Sequence, residues 1–539
     1  MRHFTWLFPL LALGVVGPLS AQETKLAVPY TRFVLPNGLN VIIHEDHSTP
    51  MVAVNMRYNV GSAREKPGRT GFAHLFEHIM FEGSGHVAEG KFDEWLEAAG
   101  GDNNGSTSED GTQYWENVPS NALDLALFLE SDRMGYLLDA MSPAKVDGQR
   151  DVVKNERRQS YENRPYGMAW IALGENLYPA DHPYHWPVIG SMEDLSAASY
   201  QDVVDFFKKY YGPANASLTI AGDVTAAQAR REVEKWFGDV PASTSVAPIA
   251  PPAALLTEEK HVVLEDRVQL PRVYIAYQSP AWLAPGDAAL DITANVLAGG
   301  KNSRLYKRMV YDLQIAQDVS AFESSSWLGS QFIIIATARS GHTLDELAGV
   351  IDEEIKKLAD QPPTAREVQR AVNQYEAGFL DRLERIGGFG GKADQLNQYS
   401  LRTGDPDYFD EDLARYRAID SSDVQAAVIT SLKPAARVVL SVVPQGKTDL
   451  AVPAKRRATC KHRPRPMPGG PLRLSAVQHW EQGLPCVSPW PGLPSRSTVP
   501  SRRRSDRSSR SPCRRLRDTP CRTACRCWCS RSIKCRSCR

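Results

Sequence analysis

Gly-Phe-Ala-His-Leu-Phe-Glu-His-Ile-Met-Phe, residues 71–81, is a mainly apolar pattern with no interior Gly or Pro, and it predicts a largely buried helix. His74 and His78 are four positions apart, which places both imidazoles on one face of that helix, about one turn from each other. Glu77 lies three positions after His74 and borders the same face. We expect the rest of the chain to be organised around this helix.

Two imidazoles at this spacing can bind one metal ion, and zinc prefers histidine nitrogens and carboxylate oxygens. A catalytic zinc lowers the pKa of water to about 7, and a carboxylate that is not a ligand, here Glu77, can take the proton of that water. Chance is the alternative, since roughly one chain in a hundred of this length would contain His-x-x-Glu-His at random. Burying such groups without partners costs several kcal/mol, so the apolar surroundings favour a zinc site.

The N-terminal residues 1–21 have the pattern of a secretory signal peptide. Arg2 and His3 form a basic end, residues 4–16 are an apolar run, and residues 17–21 are mostly small. The apolar run is short for a membrane span, and no later stretch contains eighteen consecutive apolar residues. We therefore expect an exported protein without an integral membrane segment, located in a bacterial periplasm or outside the cell.

Charge and cysteine divide the chain into two unlike pieces. The whole chain has 63 basic and 63 acidic residues, but residues 455–539 contain 22 Lys and Arg against 3 Asp and Glu. The preceding residues therefore carry 41 basic and 60 acidic side chains, a net charge of −19, which argues against nucleic-acid binding. All nine cysteines also lie beyond residue 454, so the body uses neither disulfides nor thiolate zinc sites.

The tail, residues 455–539, has no apolar periodicity, and its cysteine spacing does not match a zinc knuckle. A basic nucleic-acid arm and a disordered Arg-rich segment are two interpretations. We favour a third, a shifted reading frame of a GC-rich gene, because the change in composition after Ala454 is abrupt. We assign this segment no fold and no function.

The body has room for two domains, which we place at residues 29–240 and 257–446, joined by a Pro-rich linker at 241–256. Alternating apolar runs and helical periodicities predict an α+β fold in each, a mainly antiparallel sheet packed with helices. Residues 200–220 and 422–440 both predict a helix, a Pro-Ala turn and a strand, so we infer a duplicated unit. The second copy lacks His-x-x-Glu-His, so we expect one zinc per chain.

The third zinc ligand cannot be chosen from the residues alone. Acidic candidates are numerous. Among the free histidines, His44 and His47 suit an exposed turn, while His182 and His185 lie among prolines and aromatics that favour local packing.

Two motifs together resemble the pitrilysin/insulinase family of zinc peptidases, which includes the mitochondrial processing peptidases. The first is His74-Leu-Phe-Glu-His78 and the second is Val152-Val-Lys-Asn-Glu156-Arg-Arg-Gln-Ser-Tyr-Glu162. The resemblance covers residues 30–444. It implies that His74, His78 and Glu156 hold zinc and that Glu77 is the general base.

The resemblance also implies a substrate-binding strand. The family segment Asn-Ala-x-Thr-Ser is similar to Asn104-Gly-Ser-Thr-Ser108, which implies an edge strand that receives the peptide, with Asn104 as a substrate-binding residue. Gly105 replaces the family's Ala. Seven residues before the ligand Glu the family usually has another Glu, whereas this chain has Gln149, which removes a charge near the metal.

Family members are clam shells of two similar halves, so the resemblance implies that this chain is one half. The other half supplies an Arg and a Tyr that stabilise the oxyanion, and we find no counterpart of that pair in this chain. A separate homologous subunit, a homodimer or a half lost beyond the reading-frame change would account for this. We predict a zinc endopeptidase acting on peptides or unfolded segments. A catalytically silent partner subunit is the alternative.

Overall fold

The computed structural model describes residues 25–250 and 255–454. Within them are two β-sheets, each formed by one continuous stretch of the chain and covered by helices. The expected signal peptide at residues 1–21 and the Arg- and Cys-rich tail at residues 455–539 lie outside the described residues, as do four residues of the linker.

The first sheet has six strands in the order β1-β2-β6-β3-β5-β4, and all neighbours are antiparallel except β2 and β6. The strands β1 and β2 form a hairpin around Asn37-Gly38, a turn sequence typical of hairpins. The strand β4 lies at one edge of the sheet and pairs with β5 alone among the described strands. The strands are β1 Thr31–Val34, β2 Asn40–Glu45, β3 Met51–Tyr58, β4 Asp102–Thr107, β5 Thr112–Pro119 and β6 Ala216–Gly222.

Eight helices accompany the first sheet. The predicted histidine helix is the first of them, and the helix that carries Glu156 is the fourth. The fourth continues as a π-helical turn at Arg158–Glu162, where the backbone hydrogen-bonding pattern changes. The helices are α1 Phe72–Ile79, α2 Lys91–Ala98, α3 Leu123–Ala140, α4 Pro143–Arg157, α5 Ala169–Leu177, α6 Met192–Ala197, α7 Tyr200–Tyr210 and α8 Ala226–Phe237.

The second sheet has five strands, β7 Lys260–Asp266, β8 Arg272–Ser279, β9 Ala316–Ser324, β10 Ser330–Ala338 and β11 Val438–Pro444. Its helices are α9 Asp287–Ala298, α10 Leu344–Asp360, α11 Ala365–Leu383, α12 Lys392–Thr403, α13 Phe409–Arg417 and α14 Ser421–Ser431. The strand order is β7-β11-β8-β10-β9, with β7 and β11 as the parallel pair.

The two sheets have the same topology. In each sheet the last strand, β6 or β11, pairs in parallel with an early strand, β2 or β7. In each, the strand that follows the first helices, β4 or β9, lies at an edge. The expected duplicated α+β unit is therefore confirmed, with β1 as an addition to the first copy. The exact domain boundaries, 29–240 and 257–446, remain a prediction.

Each of the two α+β units within the chain, which are called its first and second halves in this paragraph, contributes a helix that packs on the sheet of the other. Leu173 and Leu177 of α5, from the first half, are buried together with Tyr274 and Leu440 of the second sheet. In return α12, from the second half, lies on the first sheet, where Asn397 Nδ2 donates to Asn55 O at 2.9 Å and to Ser217 O at 3.1 Å. The halves are thus held by structural elements that cross from one to the other.

Three helices, α6, α12 and α13, have no counterpart in the sequence-based prediction. For α12 the reason is chemical, because it buries polar residues against the sheet. Asp394, Asn397 and Ser400 are buried beside Ala393, Leu396 and Tyr399, so the buried face is half polar and its apolar periodicity is weak.

Within the described residues, no helix combines the length and apolar character needed to cross a bilayer.

Candidate metal centre

The histidine helix α1 begins with a buried carboxylate at its N-terminus. Glu65 accepts hydrogen bonds from the backbone N–H groups of Gly71 at 2.9 Å and Ala73 at 2.8 Å. Burial raises the pKa of Glu65 well above its usual range, although these backbone donors favour its charged form. Gly71 has φ +87° and lies against the backbone of residues 189–190, a position that a side chain would not fit. The start of the helix is therefore held by the hydrogen bonds to Glu65 and by the close contact of Gly71 with the backbone of residues 189–190.

One face of α1 is anchored in the hydrophobic core. Leu75, Phe76 and Ile79 are completely buried, and the Phe76 ring stacks on Tyr211 with centroids 5.0 Å apart. His74 and His78 lie on the remaining face, with their ring centroids 4.8 Å apart. The apolar residues thus orient the two imidazoles in the same direction.

Glu156 of α4 meets these two histidines. Its Oε2 lies 3.7 Å from Nε2 of His74 and 3.3 Å from Nε2 of His78. One ligand atom from each of the three residues lies within 4.8 Å of the other two, and this is the one such His, Cys, Asp and Glu group found in residues 25–250 and 255–454. The packing of α1 against α4 brings together residues that are far apart in the chain.

The electrostatics of the three groups suit a shared cation. Burial lowers the pKa of His74, which favours its neutral, metal-binding form. For His78, burial also acts to lower the pKa, but the hydrogen bond to Glu156 and the nearby carboxylates raise it overall. For Glu156, burial opposes ionisation, but the two histidines outweigh it and lower its pKa to about 2.

The residues fit a zinc ion. Two imidazole nitrogens and one carboxylate form a donor set that a catalytic zinc uses. His74 is buried, and in the described part of the chain its Nδ1 has no hydrogen-bond partner. Its Nε2 is too far from Glu156 for a hydrogen bond. A cation between Nε2 of His74, Nε2 of His78 and the Glu156 carboxylate would lower the cost of burying these groups.

Glu77 lies beside this group but is not part of it. Its Oε2 accepts a hydrogen bond from the Thr107 hydroxyl at 2.7 Å. Thr107 is buried at the end of β4, so the edge strand holds the carboxylate in place. No sequence pattern indicated a role for Thr107, although it lies in the segment 104–108 that carries the resemblance.

The rest of β4 lies close to Glu77. A Cβ added to Gly105 would lie 3.1 Å from Glu77 Cγ, so the missing side chain allows the close approach of strand and carboxylate. Asn104 lies on this edge strand, and its Oδ1 accepts the backbone N–H of Gly105 at 2.8 Å. The predicted edge strand is confirmed, and the role of Asn104 in substrate binding remains a prediction.

The other histidines that the sequence left open are not brought to this site. His44 Nδ1 lies 2.8 Å from Pro29 O, and His47 Nδ1 lies 2.7 Å from Asp223 Oδ1. His182 stacks on Tyr178 with centroids 4.5 Å apart, and His185 Nδ1 lies 2.8 Å from Tyr178 O. His47 lies in an exposed turn and His182 and His185 pack locally, as expected, whereas the expectation for His44 is wrong, because it is buried on strand β2.

Gln149, the departure noted in the sequence, has a charged partner. Its Nε2 donates to Oε1 of Glu82 at 2.5 Å. Neither Glu82 nor Glu65 was found by sequence reasoning. Glu65 has no spacing signal relative to the motif, whereas Glu82 lies four residues after His78, which could have indicated a neighbouring position.

Comparison with protein families gives two matches. Residues 40–171, which contain all the residues of this site, match the model described as insulinase, peptidase family M16. Residues 197–375 match the model described as the peptidase M16 inactive domain. The second match covers neither the histidine motif nor Glu156.

Individual relatives cover most of the chain. It is 30% identical over 414 residues to the zinc protease PqqE of Helicobacter pylori, a match that covers 75% of this chain and 92% of the relative. The structure of a protease from H. pylori superposes with a TM-score of 0.71 and 26% identity, covering 78% of this chain and 100% of that one. The first half of the periplasmic protease PqqL from Escherichia coli shares the fold, with a TM-score of 0.63, 18% identity and coverages of 78% and 93%.

Proposed function

Because the chain belongs to the insulinase family of peptidases, peptidase family M16, we propose that it is a zinc-dependent endopeptidase that hydrolyses peptides or unfolded segments. The observation that carries the proposal is the convergence of His74, His78 and Glu156, with Glu77 beside them. The similarity to a named zinc protease supports it. The family resemblance seen in the sequence is confirmed by the match to residues 40–171.

His74, His78 and Glu156 would hold the metal. A zinc ion there would supply Lewis-acid polarisation of the peptide carbonyl and would lower the pKa of water to about 7. The neutral form of His74, favoured by burial, leaves a nitrogen lone pair available as a ligand.

Glu77 would move the proton. Its carboxylate takes a proton from the attacking water and then delivers it to the leaving amine, and such a general base contributes about 10²–10⁴-fold. The hydrogen bond from Thr107 holds one carboxylate oxygen, so the other is free to face the substrate. Proton transfer depends on this placement, since a base must lie within hydrogen-bond reach of its proton.

The edge strand β4 would align the substrate. An extended peptide can add to an open sheet edge through main-chain hydrogen bonds. The N–H of Gly105 now donates to Asn104 Oδ1, and an added strand could take over this donor. Because Gly105 approaches Glu77 closely, a peptide on β4 would lie next to the base. We propose Asn104 as a substrate-binding residue on these grounds.

The fold corresponds to one half of a larger clam-shell protease. We propose that a second half, from another subunit or a second copy, completes the chamber, and that the protein is exported, as residues 1–21 predict. This one-half architecture is also the observation that favours the alternative, a catalytically silent partner subunit.

Zinc dependence tests the proposed function. The full-length protein should contain one zinc per chain by atomic emission, and it should cleave an unstructured fluorogenic peptide. Removing the metal with a chelator should abolish cleavage, and stoichiometric zinc should restore it. A chain that binds zinc but cleaves no peptide would support the silent-subunit alternative. A chain that does not bind zinc would contradict the proposal.

Thr107 gives a second test, at a residue outside the ligand set. Thr107→Val keeps the shape but removes the hydroxyl that holds Glu77, so kcat should fall about 10-fold or more while KM changes little. Zinc content should stay at one per chain. Thr107→Ser, which keeps the hydroxyl, is the matched control and should retain most of kcat. Equal kcat for the Val and Ser variants would show that the hydrogen bond to Glu77 is not used.

A further inference from the structure

The contact between Glu82 and Gln149 joins the same two elements that carry the metal-binding residues. Glu82 follows α1, four residues after His78, and Gln149 lies on α4, seven residues before Glu156. Seven residues correspond to about two helical turns, so Gln149 and Glu156 lie on the same face of α4. Gln149 Nε2 donates to Glu82 Oε1 at 2.5 Å, and this face of α4 thus meets the end of α1 at two places.

The backbone of Glu82 is fixed as well. Its carbonyl oxygen accepts a hydrogen bond from Lys145 Nζ of α4 at 2.7 Å, and its N–H donates to Ile79 O at 3.0 Å. The side chain and the main chain of Glu82 are therefore both held by α4. A half-buried carboxylate fixed in this way keeps a constant position relative to the ligands.

The charge of Glu82 reaches the metal centre. Glu82 follows His78 by four residues, and its carboxylate lies close enough to interact electrostatically with that imidazole. Burial, followed by the charge of Glu89, raises the pKa of Glu82, while the charge of Lys145 opposes this increase. Since Gln149 is neutral, Glu82 carries the only charge of the Glu82–Gln149 pair.

We propose that Glu82, oriented by Gln149, is a positioning residue that strengthens divalent-cation binding by His74, His78 and Glu156. This inference rests on the proposed function, because it requires that these three residues bind zinc. Glu82 lies outside the group of converging ligand atoms, so it acts through charge and through the orientation of α1 against α4. Residues that support ligands in this way typically change metal affinity by about 10–100-fold.

A charge swap tests the proposal, with zinc affinity as the readout. The dissociation constant of zinc is measured on the full-length protein by competition with a chromogenic chelator. Glu82→Gln keeps the size and hydrogen-bonding capacity of the side chain but removes its charge, and it should weaken zinc binding by about 10–100-fold. Glu82→Gln combined with Gln149→Glu places the carboxylate on the other member of the pair and should recover most of the affinity. Glu89→Gln, which removes an exposed charge from the same loop, is the control and should change affinity by less than about threefold.

The outcomes separate this inference from the proposed function. Wild-type protein that binds zinc together with a Glu82→Gln variant of equal affinity would overturn the inference alone. A double variant as weak as Glu82→Gln would also overturn it, because the contact would then be only a structural link between α1 and α4. Wild-type protein that does not bind zinc would overturn both.

Discussion

Replacing Glu77 with Gln should lower the rate of peptide hydrolysis by about 10²–10⁴-fold while zinc remains bound at one per chain. The amide has nearly the size of the carboxylate but cannot take a proton from water. Glu77 is absent from the group of converging ligand atoms, so its loss should leave the metal site intact. The measurement is kcat with an unstructured fluorogenic peptide, beside the zinc content of the same preparation.

The matched control is Glu156→Gln, at a ligand position. It should lose zinc affinity and activity together, because it removes the carboxylate that lies within 3.7 Å of both imidazoles. A Glu77→Gln protein that has also lost its zinc would show that Glu77 is a ligand. A Glu77→Gln protein with full activity would show that another group is the base.

Replacing Arg133 with Met should destabilise the protein by about 3–5 kcal/mol, because it leaves the buried side chains of Glu116 and Glu130 without their cationic hydrogen-bond donor. Arg133, on α3, is 1% exposed, and Glu116 and Glu130 are completely buried. Arg133 Nε donates to Glu130 Oε2 at 2.9 Å, and its Nη2 donates to Glu116 Oε1 at 3.1 Å.

The same guanidinium is enclosed by aromatic rings. It lies 4.3 Å from the centroid of Tyr114, 4.5 Å from that of Phe92 and 5.2 Å from that of Phe81, distances that suit cation–π interactions. Phe81 follows the histidine helix and Tyr114 lies on β5, beside the edge strand. The cluster therefore stabilises both the end of the histidine helix and the strand next to β4. Methionine would preserve most of the volume of the Arg133 side chain but none of its charge.

Urea unfolding checks the Arg133 prediction, with a lower midpoint expected at an unchanged slope. Glu116→Gln is the control. Burial, followed by the charge of Glu130, raises the pKa of Glu116 well above its usual range despite Arg133, and glutamine keeps an oxygen that can accept the hydrogen bond from Arg133. Its replacement should cost about 1 kcal/mol or less. A methionine variant as stable as wild type would show that the two carboxylates do not need the cation.

Much of the fold could be predicted because it depends on sequence patterns that span only a few neighbouring residues. The strand β3 and the hairpin of β1 and β2 follow from alternation and an Asn-Gly turn. The duplication was visible as a repeated order of helix, Pro-Ala turn and strand. The helix α12 was not predicted, because its buried face mixes polar with apolar residues: Asn397 is buried and donates to Asn55 and Ser217, which weakens the apolar periodicity.

The residues of the candidate site likewise divide into those that local spacing predicts and those that only the tertiary structure brings together. His74 and His78 share a face because their spacing of four residues matches the helical repeat, and this relation depends only on residues close together in the chain. The residues alone left the third ligand open, and only family resemblance indicated Glu156. The hydrogen bond from Thr107 to Glu77 had no signal in the chain order.

The sequence by itself determined the motif helix, the strand pattern and the shared face of His74 and His78, because these depend on residue types at fixed short spacing. The tertiary structure alone decided which distant groups meet them: Glu65 at the start of α1, Thr107 at Glu77 and the Glu82–Gln149 pair beside His78. The physical reason is that these contacts arise when α1 packs against α4 and β4. The register of that packing is set by core residues such as Phe76 and Ile79 rather than by the polar groups that it brings together.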